Sequence, residues 1–410
     1  MNDNTLILTL DNGCRFAYLH QRDSDVSYVG VAIHAGTRDE TDNESGLAHF
    51  VEHTVFKGTE LFTAKQINTE VERLGGDLNA FTTKETTVFH ATVLNQGVNN
   101  ALRVLVELTN HPTFPEDELR KEANVIVDEI QALNDSPDER IYEDLEAMIF
   151  GSSPMGRKIL GDESSVRKFG RNDALRWVRT HFTPSNMSFF AFTSLPAEQL
   201  TDYLNSLLGK GKETSTAERE DTNPSFAVTE ASKQSVNMNT HQAYLAMGGR
   251  TVGRLHEDFV PIALATNMLG GPAISSWLYT ALREEQGLAY NVDASYTAYS
   301  DTGCLIIVTS TEPKFVNRCR KIIHQQLLRL QSVTQTELDA AKLQIKGQIA
   351  IADDNKENIA LGMVKSALLF NKHFTRDEIW QAIDRITVKD IHSVATRYFN
   401  PDNLHELLYK

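Results

Sequence analysis

Residues able to do chemistry cluster in GLAHFVEHTVFKGT, residues 46–59, where His49, Glu52 and His53 interrupt an apolar run. On an α-helix, positions four apart stand one above the other, and the position three along lies beside them. His49 and His53 therefore project together, with Glu52 next to them. Two imidazoles so placed can share one Zn2+ at about 2.0–2.1 Å. A carboxylate alongside can take a proton from water at such a centre. The order is HxxEH, the reverse of HExxH. Leu47, Phe50, Val51 and Val55 supply the apolar face that anchors the helix. In a chain this long, the same pattern also arises by chance from neighbouring core or surface histidines.

A catalytic zinc needs a third protein ligand and an open position. The stretch KEANVIVDEIQAL, residues 121–133, offers Glu129 on a helix of its own. Glu122 lies two turns earlier on the same face, where it can hydrogen-bond a ligand or hold the charge of the site. Asp128 points about 100° away around the helix and reads as solvated. A carboxylate on a polar helix is ordinarily a surface residue, so pattern alone leaves Glu129 open.

The elements that must position these groups are legible in part. Residues 5–9 and 27–34 read as strands, and Ser45 offers a cap for the helix carrying the histidines. A second helix fits 64–75, closed by Gly75 and Gly76, and 81–93 reads as a strand pair or one long strand. Helical periodicity covers 98–110 and 116–133, and 187–194 reads as the last strand of this half. The polar stretch 211–225 has almost no large apolar residues and reads as a linker. The pattern then restarts. A strand at 243–249 is followed by a helix at 259–271, a helix and turn through SSWLYTALREEQG, a strand-rich segment and another helix. The expectation is an α+β chain of two similar α/β sandwich domains, each a mostly antiparallel sheet with helices packed on it. The domains are expected at 1–210 and 226–410, joined by the linker 211–225.

Composition agrees with that architecture. A chain of 410 residues exceeds one ordinary core. Its 41% hydrophobic and 23% charged content excludes disordered and fibrous classes. A net charge of −15 argues against nucleic acid as partner. No run of about 18 apolar residues occurs, and the start lacks a signal-peptide pattern, so no membrane association is expected. Cys14, Cys304 and Cys319 have no metal or redox spacing; reduced thiols and a cytoplasmic location are the expectation. The acidic residues Asp138, Glu139, Glu143 and Asp144 read first as a solvated helix face, and second as a preference for basic substrates.

HFVEH, followed far downstream by Glu in VIVDEI, resembles the inverzincin metallopeptidases, the family of pitrilysin, insulin-degrading enzyme and the mitochondrial processing peptidases. AGTRDE (35–40), FKGT after the zinc motif, LGGDLNAFTTKETT (74–87), FTPSNM (182–187), LGGPAISSWLY (269–279) and LREEQGLAY (282–290) resemble family landmarks over nearly the whole chain. The length is similar to that of the two-domain bacterial processing-peptidase-like members.

That resemblance implies a zinc metalloendopeptidase with one Zn2+ per chain. It implies His49, His53 and Glu129 as ligands, Glu52 as general base and Glu122 as a supporting carboxylate. In the second half it implies Arg283 holding the substrate backbone and Tyr290 donating to the oxyanion. LNAFT (78–82) is similar to the edge strand on which substrate lies, with Asn79, Ala80 and Phe81 as its contacts. The partner is a peptide or unfolded segment. Four such domains form a chamber in the family, so a dimer is implied. A homodimer suffices, in which one subunit's Arg283 and Tyr290 complete the other's zinc site; a heterodimer is the other arrangement. Some relatives are non-catalytic structural or partner subunits, and that is the competing reading. LGGPAISSWLY departs from the family form, with Pro272 and Trp277 where small residues and an Arg are usual. Gly270 and Gly271 there still permit unusual backbone geometry.

Overall fold

A computed structural model of the chain describes residues 5–210 and 230–410; the expected linker over 211–225 lies outside the described residues. The first strands are β1 (Leu6–Thr9), β2 (Arg15–His20), β3 (Val26–Ile33), β4 (Asp77–Thr82), β5 (Thr87–Leu94) and β6 (Met187–Thr193). The helices around them are α1 (Leu47–Val55), α2 (Ala64–Glu72), α3 (Val98–Asn110), α4 (Glu116–Asn134), α5 (Pro137–Phe150), α6 (Glu163–Val166), α7 (Arg171–His181) and α8 (Ala197–Leu208). Next come β7 (Lys233–Val236), β8 (Ala243–Val252), α9 (Phe259–Gly270), α10 (Trp277–Tyr279), β9 (Ala289–Ala298), β10 (Thr302–Thr311) and α11 (Val316–Arg329). The chain ends with α12 (Gln335–Ala352), α13 (Lys356–Phe370), α14 (Arg376–Arg385), α15 (Val388–Tyr398) and β11 (His405–Tyr409).

The first sheet has the order β1-β2-β6-β3-β5-β4, and the second β7-β11-β8-β10-β9. Both are antiparallel except for one parallel pair each, β2 with β6 and β7 with β11. The run β6-β3-β5-β4 repeats as β11-β8-β10-β9, in the same chain order. The repeat expected from element order is therefore a repeat of strand topology.

Two compact units form around these sheets. One holds β1–β6, α1–α3, all but the last turn of α4, α6–α8 and α13; the other holds α5, β7–β11, α9–α11, nearly all of α12, α14 and α15. They are not the contiguous stretches 1–210 and 226–410. Ala360, Met363, Val364 and Ala367 of α13 bury Ala17, Ala32, Val88, Phe190 and Phe192 on one face of the first sheet. Ile141, Leu145 and Ile149 of α5 bury Ala246, Ile306, Val308 and Leu407 on one face of the second. The opposite faces carry the larger cores. Strands covered on both faces need apolar residues at successive positions. All seven residues of β6, MSFFAFT, are buried accordingly. Among the described residues, no helix is long and apolar enough to cross a membrane.

Candidate metal centre and active site

The histidine helix α1 lies in the first core, with Leu47, Phe50, Val51 and Val55 fully buried. Ser45 is not its cap. The N-cap is Gly46 at φ 88, a left-handed conformation that costs a glycine least. A Cβ on Gly46 would stand 2.6 Å from the Leu160 carbonyl oxygen. Without a capping side chain, the helix start takes its acceptor from further back in the sequence. Glu40 accepts from the Gly46 N–H at 3.1 Å and the Ala48 N–H at 2.9 Å. Burial pushes its carboxyl up to about 8, against the lowering pull of those two hydrogen bonds and of Arg157.

His49, His53 and Glu129 each turn one ligand atom inward, and these atoms lie within 4.8 Å of one another. Glu129 Oε2 stands 3.6 Å from His53 Nε2 and 3.9 Å from His49 Nε2. Both separations are too long for hydrogen bonds. They approach the spacing of about 3.3 Å expected between two ligands of one tetrahedral zinc. Asp128 is exposed. His53 Nδ1 donates to Glu122 Oε1 at 3.0 Å, which leaves the Nε2 lone pair directed at the cluster. Glu122 Oε2 in turn pairs with Lys57 Nζ at 2.6 Å. His49 Nδ1 is buried without a hydrogen-bond partner.

The electrostatics suit a cation. Burial, with the neighbouring His53, drives the His49 pKa down to about 3, so its imidazole is neutral at ordinary pH. Burial also disfavours a charged His53, but the Glu122 hydrogen bond and the Glu129 and Glu52 carboxylates outweigh it and raise its pKa. A cation and a proton compete for that same Nε2 lone pair. Burial would raise Glu122, yet hydrogen bonds from His53 and Lys57 hold it below the ordinary carboxylate value. Two neutral-capable imidazoles and a carboxylate, with one imidazole tautomer fixed from behind, are a donor set that fits zinc.

Glu52 is buried beside the cluster, and burial raises its pKa while Thr82 and His53 counteract. Thr82 Oγ1 donates to Glu52 Oε2 at 2.7 Å. Thr82 ends β4, which lies at the edge of its sheet and pairs only with β5. The backbone on its other side is unpaired among the described strands. Asn79 and Phe81 are exposed on one face of β4, and Ala80 is half-buried on the other. Phe81 meets His90 edge-on at 6.0 Å.

Arg283 and Tyr290 belong to the second compact unit. Arg283 lies in a π-turn over Thr280–Glu284. Its guanidinium carbon sits 4.8 Å from the ring centroids of both Tyr279 and Tyr290. Tyr290 is 77% exposed, so its hydroxyl is available to an incoming group. Trp277, where the family form has an Arg, stacks under Arg329 at 3.9 Å. Neither Gly270 nor Gly271 has positive φ. They are needed for close approach: a Cβ would stand 2.7 Å from Ala294 Cβ at Gly270 and 2.7 Å from Asn267 Nδ2 at Gly271.

Glu40, Lys57 and Thr82 had no assigned role in the sequence, although each stands in a stretch that resembles a family landmark. Their signal is position within AGTRDE, FKGT and LNAFT; the partners of Lys57 and Thr82 are distant in sequence and become visible only in the fold.

Fold and site together define a two-unit protein with a His-His-Glu cluster beside the larger core of a mostly antiparallel sheet. Residues 15–163 match the model described as Insulinase (Peptidase family M16), and residues 168–345 match that described as Peptidase M16 inactive domain. The chain is 31% identical to an uncharacterized zinc protease of Bacillus subtilis, over 96% of this chain and 95% of that one. It is 28% identical to a probable mitochondrial-processing peptidase subunit beta of Arabidopsis thaliana, over 96% of this chain and 76% of that one. A protease from Helicobacter pylori has the same fold, with a TM-score of 0.90 at 20% identity, covering 100% of this chain and 99% of that one. The chain belongs to peptidase family M16, which bears out the inverzincin resemblance.

Proposed function

We propose that this protein is a zinc-dependent metalloendopeptidase acting on peptides or unfolded segments, with one zinc held by His49, His53 and Glu129. The observation that carries the reading is the convergence of those three ligand atoms beside the buried Glu52 carboxylate. Zinc held there would supply Lewis acidity, polarising a scissile carbonyl and making water more acidic. Glu52 takes the proton from the attacking water and delivers it to the leaving amine. Thr82 holds one oxygen of Glu52, leaving the other for that transfer. Glu122 orients His53 and raises its basicity as a ligand.

Substrate adds as a further strand to β4, with Asn79, Ala80 and Phe81 against it. Tyr290 donates its hydroxyl to the developing oxyanion, and Arg283, aligned by Tyr279, holds the substrate backbone. Two copies build the chamber as a homodimer, each supplying the other's Tyr290 and Arg283, as the resemblance implies. The three cysteines are buried thiols outside any disulfide, which suits a reducing cytoplasm.

A second reading is favoured by two names: the inactive-domain description matched over 168–345, and the subunit designation of the Arabidopsis relative. Under it, the chain is a non-catalytic subunit or works only with a different partner. One experiment separates the readings. The purified chain alone, loaded with zinc, is given a proteome-derived peptide mixture read by mass spectrometry. Internal cleavages that vanish with a chelator and in Glu52→Gln, while Glu52→Gln keeps its zinc, are expected. Equal cleavage by Glu52→Gln would refute the assigned base, and no cleavage by a zinc-loaded wild type would favour the non-catalytic reading.

A further inference from the structure

Lys57 lies just past the end of α1, one helical turn beyond His53. Both residues reach the same carboxylate from opposite oxygens: His53 Nδ1 takes Glu122 Oε1 at 3.0 Å and Lys57 Nζ takes Glu122 Oε2 at 2.6 Å. The Glu122 and Lys57 side chains are 11% and 25% exposed, so this pair is shielded from the screening that weakens surface ion pairs.

A carboxylate held at one oxygen only can rotate. Glu122 would then lose its aim at His53 Nδ1 or turn toward the cluster as a competing ligand. Held at both oxygens, it has one orientation, and the imidazole it orients has one tautomer. Charge points the same way. Glu52, Glu122 and Glu129 bring three carboxylates to two imidazoles. A divalent cation leaves one negative charge, and Lys57 brings a cation to this set through Glu122.

We infer that Lys57 is a positioning residue for the metal centre: it locks Glu122, and through Glu122 the His53 ligand, although it touches neither metal nor substrate. The inference rests on the metal site proposed above.

Two effects of opposite sign make it testable. As a mere neighbouring charge, Lys57 repels a divalent cation, and its removal would tighten binding. As a lock on Glu122, its removal loosens binding. Zinc affinity of the full chain is measured by competition with a chromophoric chelator, without reference to hydrolysis. Lys57→Met is expected to weaken zinc roughly tenfold, the lower end of the effect of outer partners on metal affinity. Lys57→Arg is expected to recover most of that loss, because a guanidinium also grips a carboxylate. In a Glu122→Gln background, Lys57→Met is expected to add little, because residues acting through one another are not additive. The melting temperature of the metal-free protein is followed in parallel, and the double-mutant comparison decides even if Lys57→Met melts earlier. Unchanged or tighter zinc binding in Lys57→Met, or an undiminished effect in the Glu122→Gln background, would overturn the inference. Failure of the wild type to bind zinc would instead overturn the metal site itself.

Discussion

Helices α1 and α9 occupy the same place in two copies of one topology. Each follows the strand in the middle of the repeated run, β3 or β8, and precedes the hairpin β4–β5 or β9–β10. Both bury their apolar residues in the core of their own unit. In α9, FVPIALATNMLG, the polar groups are few: Thr266 donates back to the Ile262 carbonyl and Asn267 to Gln348. In α1, two imidazoles and a carboxylate stand in the corresponding apolar setting. An unpaired buried polar group costs about 1–3 kcal/mol, and a charged one more. The first unit offsets that cost with partners from elsewhere: Thr82 on Glu52, and Glu122 with Lys57 behind His53. The second copy shows that the fold asks only for an apolar helix at this step. The polar trio is an addition, carried at the expense of a surrounding network that the second copy does not need.

The largest effect expected from breaking this contrast is at His49. His49→Ala should drop zinc from one per chain to near none and abolish hydrolysis, while far-ultraviolet circular dichroism stays unchanged; zinc is read by atomic emission. In α9, Asn267→Leu should change neither zinc content nor hydrolysis, and a loss of zinc there would erase the distinction between the helices. Next, Tyr290→Phe should lower kcat by roughly 10²–10³ without changing zinc content, the size seen when one oxyanion donor is removed. Wild-type kcat in Tyr290→Phe would leave the second unit without a part in the chemistry.

Thr82→Val should lower stability by about 1–3 kcal/mol in urea unfolding, because it leaves a buried carboxylate oxygen unpaired. It should lower kcat more than it raises KM, and Thr82→Ser should restore both. A pure KM effect would place Thr82 with the substrate strand and not with Glu52. The last effect is a change of slope. Glu40 has a folded-state pKa of about 8, above its ordinary 4.5, so between those values the folded chain holds more protons than the unfolded one. Its contribution is complete below the ordinary value and is lost as pH rises through about 8. Melting temperature measured from about pH 5 to about pH 8 should therefore fall less steeply in Glu40→Gln than in the wild type. An unchanged slope would mean that another group sets it.

Much of the fold was legible because its strongest signals are local. The periodicity of α3 and α4, the β-branched run of β5 and the aromatic run of β6 read directly, since each element's burial pattern is set by its own residues. Strands β2, β7 and β11 and helices α5–α8 and α12–α15 are not legible in the sequence. The apolar residues of α5 and α13 serve sheets on which no adjacent element reports, so their purpose is invisible along the chain. The expected cap at Ser45 failed for a related reason. A side-chain cap is the usual local solution, but Gly46 takes the left-handed turn and a carboxylate from Glu40 replaces it.

The sequence by itself determined the pair His49 and His53 with Glu52 between them, because helix geometry fixes which side chains share a face. It also determined that the element order repeats. Only the tertiary structure decided that Glu129 reaches the two histidines, that Glu122 bridges His53 and Lys57, and that Thr82 holds Glu52. Those meetings depend on how separate elements pack, and packing is fixed by the shape of the whole apolar core and not by any local spacing.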